Sequence, residues 1–445
     1  MATRSTIMDS NSFRPENTDA LSADTRALTR RRSVLGSSYR LFYRQPVHLV
    51  RGEGQYLWDA EGRKYLDMYN NVASVGHAHP AVVEAVTRQM SLLNTHTRYL
   101  HGTILDYSER ILATMPGPLD RIMFMCTGSE ANDLAIRVAR AYSGGVGIIA
   151  TREAYHGTSD LTSGVSPALG SNQPISPTVR LIDAPDAYRV DAVDLGRWFA
   201  DRIREAVADL EAHGIPFAGF IADSIFSSDG VLPGPPGFLH EAVDAVHAAG
   251  GVWIADEVQP GFARTGEAFW GFGRHGIVPD IVTLGKPMGN GIPVSGMAAR
   301  SEVLAAFSDA IPYFNTFGGN PVSMAAASAV LDVIENEGLL AHAQVVGAAA
   351  RAQLATLADR HEAVGDVRGA GLFTGFELVA DRDTRTPDRA LALDLLEQLR
   401  ERGVLTSVAG PHANVLKLRP PLPFAAEDVD WLVGALDESL TALGR

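Results

Sequence analysis

An α/β fold is predicted, with a mostly parallel sheet covered by helices and a second, smaller α/β domain built from both chain ends. Three observations predict it. Short apolar runs rich in β-branched residues alternate with helical stretches from about Pro80 to Gly319, the signature of a sheet buried on both faces. Beyond Asn320-Pro321 the pattern turns to amphipathic helices around a glycine-punctuated strand pair. A chain of 445 residues is long enough for more than one domain.

In chain order, residues 1–30 are polar and mixed in charge and lack periodicity, so they read as a mobile arm. Arg30-Arg31-Arg32 reads as a solvated basic turn, because polar Ser37-Ser38-Tyr39-Arg40 follows where a signal peptide would continue apolar. Residues 31–75 carry short strands at 47–52, 55–59 and 64–67, set between Gly-rich turns, and form the N-terminal part of the small domain. The large domain spans 76–321. Its strands are predicted at 121–125, 147–150, 179–182, 218–222, 252–256 and 281–284, and a helix covers 131–142 with Leu134, Ala135, Val138, Ala139 and Tyr142 on one face. Residues 322–445 complete the small domain, with helices at 324–336, 344–359, 389–402 and 427–443 and a strand pair near 367–380.

Composition narrows the function. The 38 Lys+Arg against 52 Asp+Glu give a formal net charge of -14, which disfavours a nucleic-acid or anionic-membrane surface. The single cysteine, Cys126, excludes an intrachain disulfide and points to a cytoplasmic protein. His77, His79, His96 and His101 lack the carboxylate and cysteine spacing of a metal site, so no metal is expected.

The chemistry concentrates at strand ends, where open α/β sheets carry their sites. Asp256 closes one apolar strand and Lys286 follows another, ahead of a turn-rich Pro-Met-Gly-Asn-Gly run. A buried carboxylate needs a partner. That partner is either a structural cation such as Arg264 or the ring nitrogen of a cofactor; a strand-end lysine and a strand-end acid together suit pyridoxal phosphate, which takes a lysine and an acidic partner. Thr127-Gly128-Ser129-Glu130 lies at a strand-to-helix junction suited to a phosphate, although Ser129 could equally cap the helix. Tyr155-His156-Gly157 follows another strand and could set a ring against a flat cofactor.

Six motifs occur in one order: VGHAHP at 75–80, CTGSEAND at 126–133, AYHG at 154–157, IADEVQPGFARTG at 254–266, LGKPMGNGIP at 284–293 and NTFGGNP at 315–321. Over roughly residues 40–440 the chain resembles the class-III, or ω-amino acid, aminotransferases of the fold-type-I pyridoxal 5'-phosphate enzymes. The resemblance implies that Lys286 is the Schiff-base lysine and Asp256 the partner of the pyridine nitrogen. It further implies that Tyr155 and Val258 flank the ring, that Gln259 lies near the phenolic oxygen, and that Gly128 and Ser129 hold the phosphate, with His156 and Asp223 beside the cofactor. Thr316 would reach the phosphate from a neighbouring subunit, in a homodimer or a dimer of dimers.

Two segments, NTHTRYLH at 94–101 and GPHANVLKLRPPLPF at 410–424, are similar to those of diaminobutyrate-type aminotransferases and of phospholyases acting on phosphoethanolamine or phosphohydroxylysine. The chain departs from the family pattern where a glutamate and an arginine usually pair: Ser228 and Lys417 stand there. Asn71, Arg98, Ser228, Lys417 and Arg419 are therefore the candidate substrate residues, Arg98, Lys417 and Arg419 as anion binders. The expected reaction is transfer of an amino group from an amine or ω-amino acid to a keto acid. The alternative is elimination of phosphate and ammonia from a phosphorylated amine.

Overall fold

The computed structural model describes residues 9–445; residues 1–8 of the expected arm lie outside them. Within 9–30 the chain is not devoid of structure. Helix α1 (Ala23–Arg31) starts at Ser22, whose side chain accepts from the Thr25 N–H, and ends on Arg30 and Arg31, which suit the negative helix end. It buries no residue, so it leaves no apolar stripe for periodicity to detect. The three arginines thus close a helix instead of forming a free turn.

Strands β1 (Leu49–Glu53), β2 (Tyr56–Asp59) and β3 (Lys64–Asp67) form a meander in the expected place. Helices α2 (Pro80–Met90) and α3 (Gly102–Ala113) follow, and the His79 and His101 side chains cap them by accepting from Ala81 and Thr103 N–H groups. Then come β4 (Leu119–Met125), α4 (Gly128–Ser143), β5 (Gly147–Thr151), the single turn α5 (Asp160–Ser163), β6 (Val179–Ile182), α6 (Leu195–Ala212), β7 (Phe217–Ala222), α7 (His240–Ala248), β8 (Val252–Asp256), β9 (Ile281–Leu284), β10 (Ser295–Arg300) and α8 (Ser301–Ser308). All six predicted strands are present.

They join β10 in a seven-stranded sheet of order β4-β10-β9-β8-β7-β5-β6. Five strands, β9-β8-β7-β5-β6, run parallel, and β10 pairs antiparallel with both β9 and β4. The sequence of β10, SGMAAR, has no β-branched residue; its place between two strands, not its propensity, makes it a strand. Parallel connectivity brings the carboxyl ends of β5, β7, β8 and β9 to one edge. Helix α6 covers the sheet with Phe199, Ile203, Val207 and Leu210 at helical spacing, all buried.

The C-terminal part contains α9 (Pro321–Asn336), α10 (Leu339–Ala355), β11 (Val364–Ala370), β12 (Phe373–Asp381), β13 (Thr386–Pro387), α11 (Arg389–Glu401), β14 (Val404–Leu405), β15 (Ser407–Ala409), β16 (Val415–Leu418) and α12 (Ala426–Ala442). One sheet runs β11-β12-β16-β15, and β14 instead adds in parallel to β3, Val404 against Leu66. The two chain ends therefore share a sheet. Among the described residues no helix is long and apolar enough to cross a membrane.

Candidate active site

At the carboxyl edge of the parallel strands lies a cavity of about 150 Å³ lined by Gly128, Ser129, Tyr155, His156, Asp223, Asp256, Val258, Gln259 and Lys286, with Asn132 and Gly157 completing the wall. Sequence reasoning brought nine of these together. Asn132 and Gly157 stood inside the motifs without a role.

Asp256, at the end of β8, is buried. Its Oδ2 accepts from His156 Nδ1 at 2.7 Å and Asn132 Nδ2 at 2.9 Å, and Oδ1 accepts from the Val258 amide at 3.1 Å. Asn132 is in turn fixed, with Nδ2 donating to His156 O at 2.8 Å and Oδ1 accepting from Thr283 Oγ1 at 2.7 Å. Since a carboxylate only accepts, the hydrogen sits on His156 Nδ1. Arg264 is not the partner of Asp256. Its buried guanidinium donates instead to the carbonyls of Leu372 and Pro420.

The start of α4 decides between the two readings of Ser129. Thr127 is the cap: its side chain accepts from Glu130 N–H, and Glu130 reaches back to the Thr127 amide. The amides of Gly128 and Ser129 are thereby left at the open helix end, a ready anion site. Glycine is required nearby. A Cβ at Gly157, where φ is +142°, would stand 2.6 Å from Ser129 Oγ, and one at Gly128 would stand 3.2 Å from Val258 Cγ2.

Lys286 enters the cavity from the turn after β9, its Nζ 6.0 Å from the Tyr155 ring centre. Burial, then the positive charge of Arg419, brings its amine down to about 8, against the pull of Asp256 and Asp223. Such an amine loses its proton far more readily than an ordinary lysine and can act as a base or a nucleophile. Asp223 accepts from the amides of Ile225 and Ser227, both at 2.9 Å, and burial raises its carboxyl above the usual range.

The five substrate candidates divide. Asn71 and Arg419 are buried beside the cavity, where Arg419 Nη1 donates to Asn71 Oδ1 at 3.1 Å and to Gln259 Oε1 at 2.6 Å. Lys417 is buried too. Ser228 is half-buried and holds Gly410 N–H with its carbonyl. Arg98 is the exception: it is exposed, with its guanidinium 4.1 Å from the Phe314 ring centre, and does not line the cavity of its own chain. Thr316 is exposed on the neighbouring 315–317 segment. Neither fact could be read from spacing, since both depend on how remote loops meet.

The residues fit pyridoxal phosphate: a lysine amine and a hydrogen-bonded carboxylate face one small cavity, a tyrosine and a valine both line it, and free helix amides close one end. The family model for class-III aminotransferases matches residues 42–440. The chain belongs to the class-III aminotransferase family.

Members of this family depend on pyridoxal phosphate. Among its relatives, the chain is 42% identical over 433 residues to an alanine–glyoxylate aminotransferase 2-like protein of Drosophila melanogaster, covering 94% of this chain and 87% of the relative. It is 38% identical over 467 residues to ethanolamine-phosphate phospho-lyase homolog 1 of Caenorhabditis elegans, covering 99% and 100%. In structure it is similar to a phospholyase from Arthrobacter solved in complex with phosphoethanolamine, with a TM-score of 0.90 and 42% identity over 94% of this chain and 99% of that one. Other features of the site that sequence reasoning passed over are Asn132 and Thr283, which orient Asp256, and Glu257, buried behind it. Asn132 and Glu257 lie inside the six motifs, so their place there was the available signal.

Proposed function

We propose that the chain is a pyridoxal-phosphate-dependent phospholyase that releases ammonia and phosphate from a small phosphorylated amine such as O-phosphoethanolamine. The observation that carries this reading is Lys417. The charges acting on it are Arg419 and Lys286, of its own sign, and Asp223 and Asp229. Asp223 and Asp229 are both raised by burial, Asp229 to about 7 while it accepts from Thr151 Oγ1 and the Glu153 amide. With Ser228 where the family usually has a glutamate, nothing in this position is built to neutralise Lys417 for one substrate and release it for another. A buried lysine that takes its charge when an anion binds suits one anionic substrate; a transaminase must admit two. Sequence alone favours transamination, and this environment shifts the preference.

In this reading Gly128 and Ser129 hold the cofactor phosphate, Tyr155 and Val258 flank its ring, and Asp256 faces the ring nitrogen. Bound there, the cofactor supplies a carbonyl to carry the substrate amine and a ring that accepts electrons. Lys286 then removes the proton from the amine-bearing carbon, being already in the cavity with its amine lowered from the ordinary lysine range. His156 and Asn132 keep Asp256 oriented throughout. Lys417 attracts the substrate anion. Loss of phosphate from the neighbouring carbon and hydrolysis yield an aldehyde, ammonia and phosphate, with one water consumed.

Transamination is the second reading, favoured by the 42% identical Drosophila relative and its name. One experiment separates them: incubation with phosphoethanolamine and no keto acid. Sustained release of phosphate and ammonia supports the lyase; a halt after one turnover supports transamination. We further propose a homodimer in which Thr316 completes the partner's phosphate site, supported by exposed Tyr99, Leu100, Phe314 and Phe317 around it, and a cytoplasmic location.

A further inference from the structure

Arg419 was a candidate anion binder, yet its contacts describe a different part. Its Nη1 is already engaged by Asn71 Oδ1 and Gln259 Oε1, its guanidinium carbon lies 4.7 Å from the Tyr69 ring centre, and its backbone N–H is tied to Met68 O at 2.9 Å. Asn71 closes the ring of contacts by donating from Nδ2 to the Gln259 carbonyl at 3.4 Å. The Arg419 Nε is buried without a partner. A side chain this constrained is built to hold its neighbours.

The neighbour that matters is Gln259, which lines the cavity. A guanidinium has donors only, so it can hold an amide by its oxygen and never by its nitrogen. We propose that Arg419 is a positioning residue that fixes the side-chain amide of Gln259 with its NH2 end toward the cavity. The inference rests on the cofactor reading above, in which Gln259 faces the phenolic oxygen. A donor there stabilises the ionised oxygen and weakens that oxygen's hold on the proton of the lysine linkage. Without Arg419 the amide is free to turn and present its oxygen, which does the reverse.

The test follows the visible absorbance of the cofactor-loaded enzyme against pH, a readout separate from turnover. Loss of the donor raises the spectral midpoint, by about one pH unit for a hydrogen bond to a charged group. Arg419→Met and Gln259→Ala should each show that rise, and Arg419→Lys, which still has only donors, should recover most of the original midpoint. Removing the arginine charge also raises the midpoint, so the decisive arm is the double variant. Of the other charges acting on Lys286, Asp256 and Asp223 stay in place throughout, and Lys417 responds to Arg419 alike in both backgrounds. If Arg419 acts through Gln259, Arg419→Met shifts the midpoint less in the Gln259→Ala background than in the unmodified enzyme, only the lost charge remaining to act. Additive shifts overturn the proposal while leaving the cofactor reading intact; absence of any visible band in the unmodified enzyme overturns both. Arg419→Leu carries the same test if Arg419→Met does not fold.

Discussion

His156 Nδ1 stands 2.7 Å from Asp256 Oδ2 in a buried pair that joins the segment after β5 to the end of β8. Asp256 keeps its aim because His156 and Asn132 grip the same oxygen. His156→Phe should therefore lower turnover by about 10- to 100-fold, the worth of a hydrogen bond to a charged group, with cofactor still bound. Steady-state kinetics beside a cofactor absorbance measurement checks this, and unchanged turnover would remove His156 from the site's working parts.

Lys286 titrates near 8 in the folded protein, below the 10.5 of an ordinary lysine. Cofactor attachment needs the neutral amine, so loading of cofactor-free protein should quicken as pH rises and level off above about 8, as stopped-flow absorbance would record. Between these values the unfolded chain holds more protons, so the stability of the cofactor-free protein should rise with pH. Lys286→Met should abolish both the loading and that rise, the latter read by chemical denaturation.

Lys417 is held well below the usual lysine range by burial and by Arg419. A phosphate or carboxylate bound to it favours its protonated form, so substrate binding takes up a proton and KM should climb as pH rises. Lys417→Met should raise KM for a phosphorylated amine by roughly 30-fold or more and flatten that climb. An unaltered KM would place the anion elsewhere.

Glu257 is fully buried and pushed up to about 7, burial outweighing the donations from Ser224 and from the amides of Gly271 and Phe272. Between the 4.5 of an ordinary glutamate and about 7 the folded state holds more protons than the unfolded one, so this group makes stability fall as pH rises through that window. Glu257→Gln should flatten that part of the stability curve, as denaturant titrations at several pH values would show.

The large sheet was legible because β8, β9 and their parallel neighbours are buried on both faces and so must be continuous apolar runs. Asp256 and Lys286 stood out for the same reason: a charge at the end of such a run needs a partner. β10 was not, since small residues carry no strand preference, nor was α1, which buries nothing. The clamp of Arg419 on Asn71 and Gln259 joins three distant segments of chain, and no local pattern encodes a meeting of that kind. That Arg98 lies away from its own chain's cavity was hidden on the same ground: its position was visible, its neighbours were not.

The pairing of Leu66 with Val404 has a consequence for synthesis. β1 to β3 are translated before the large sheet, and the strand that completes their own sheet only after it. Until then the outer edge of β3 has unpaired amides and carbonyls while the whole large sheet is being made. The nascent chain must therefore keep that edge from mispairing through most of its elongation, and a truncation before β14 should yield a protein whose large sheet is present but whose N-terminal strands are left seeking a partner.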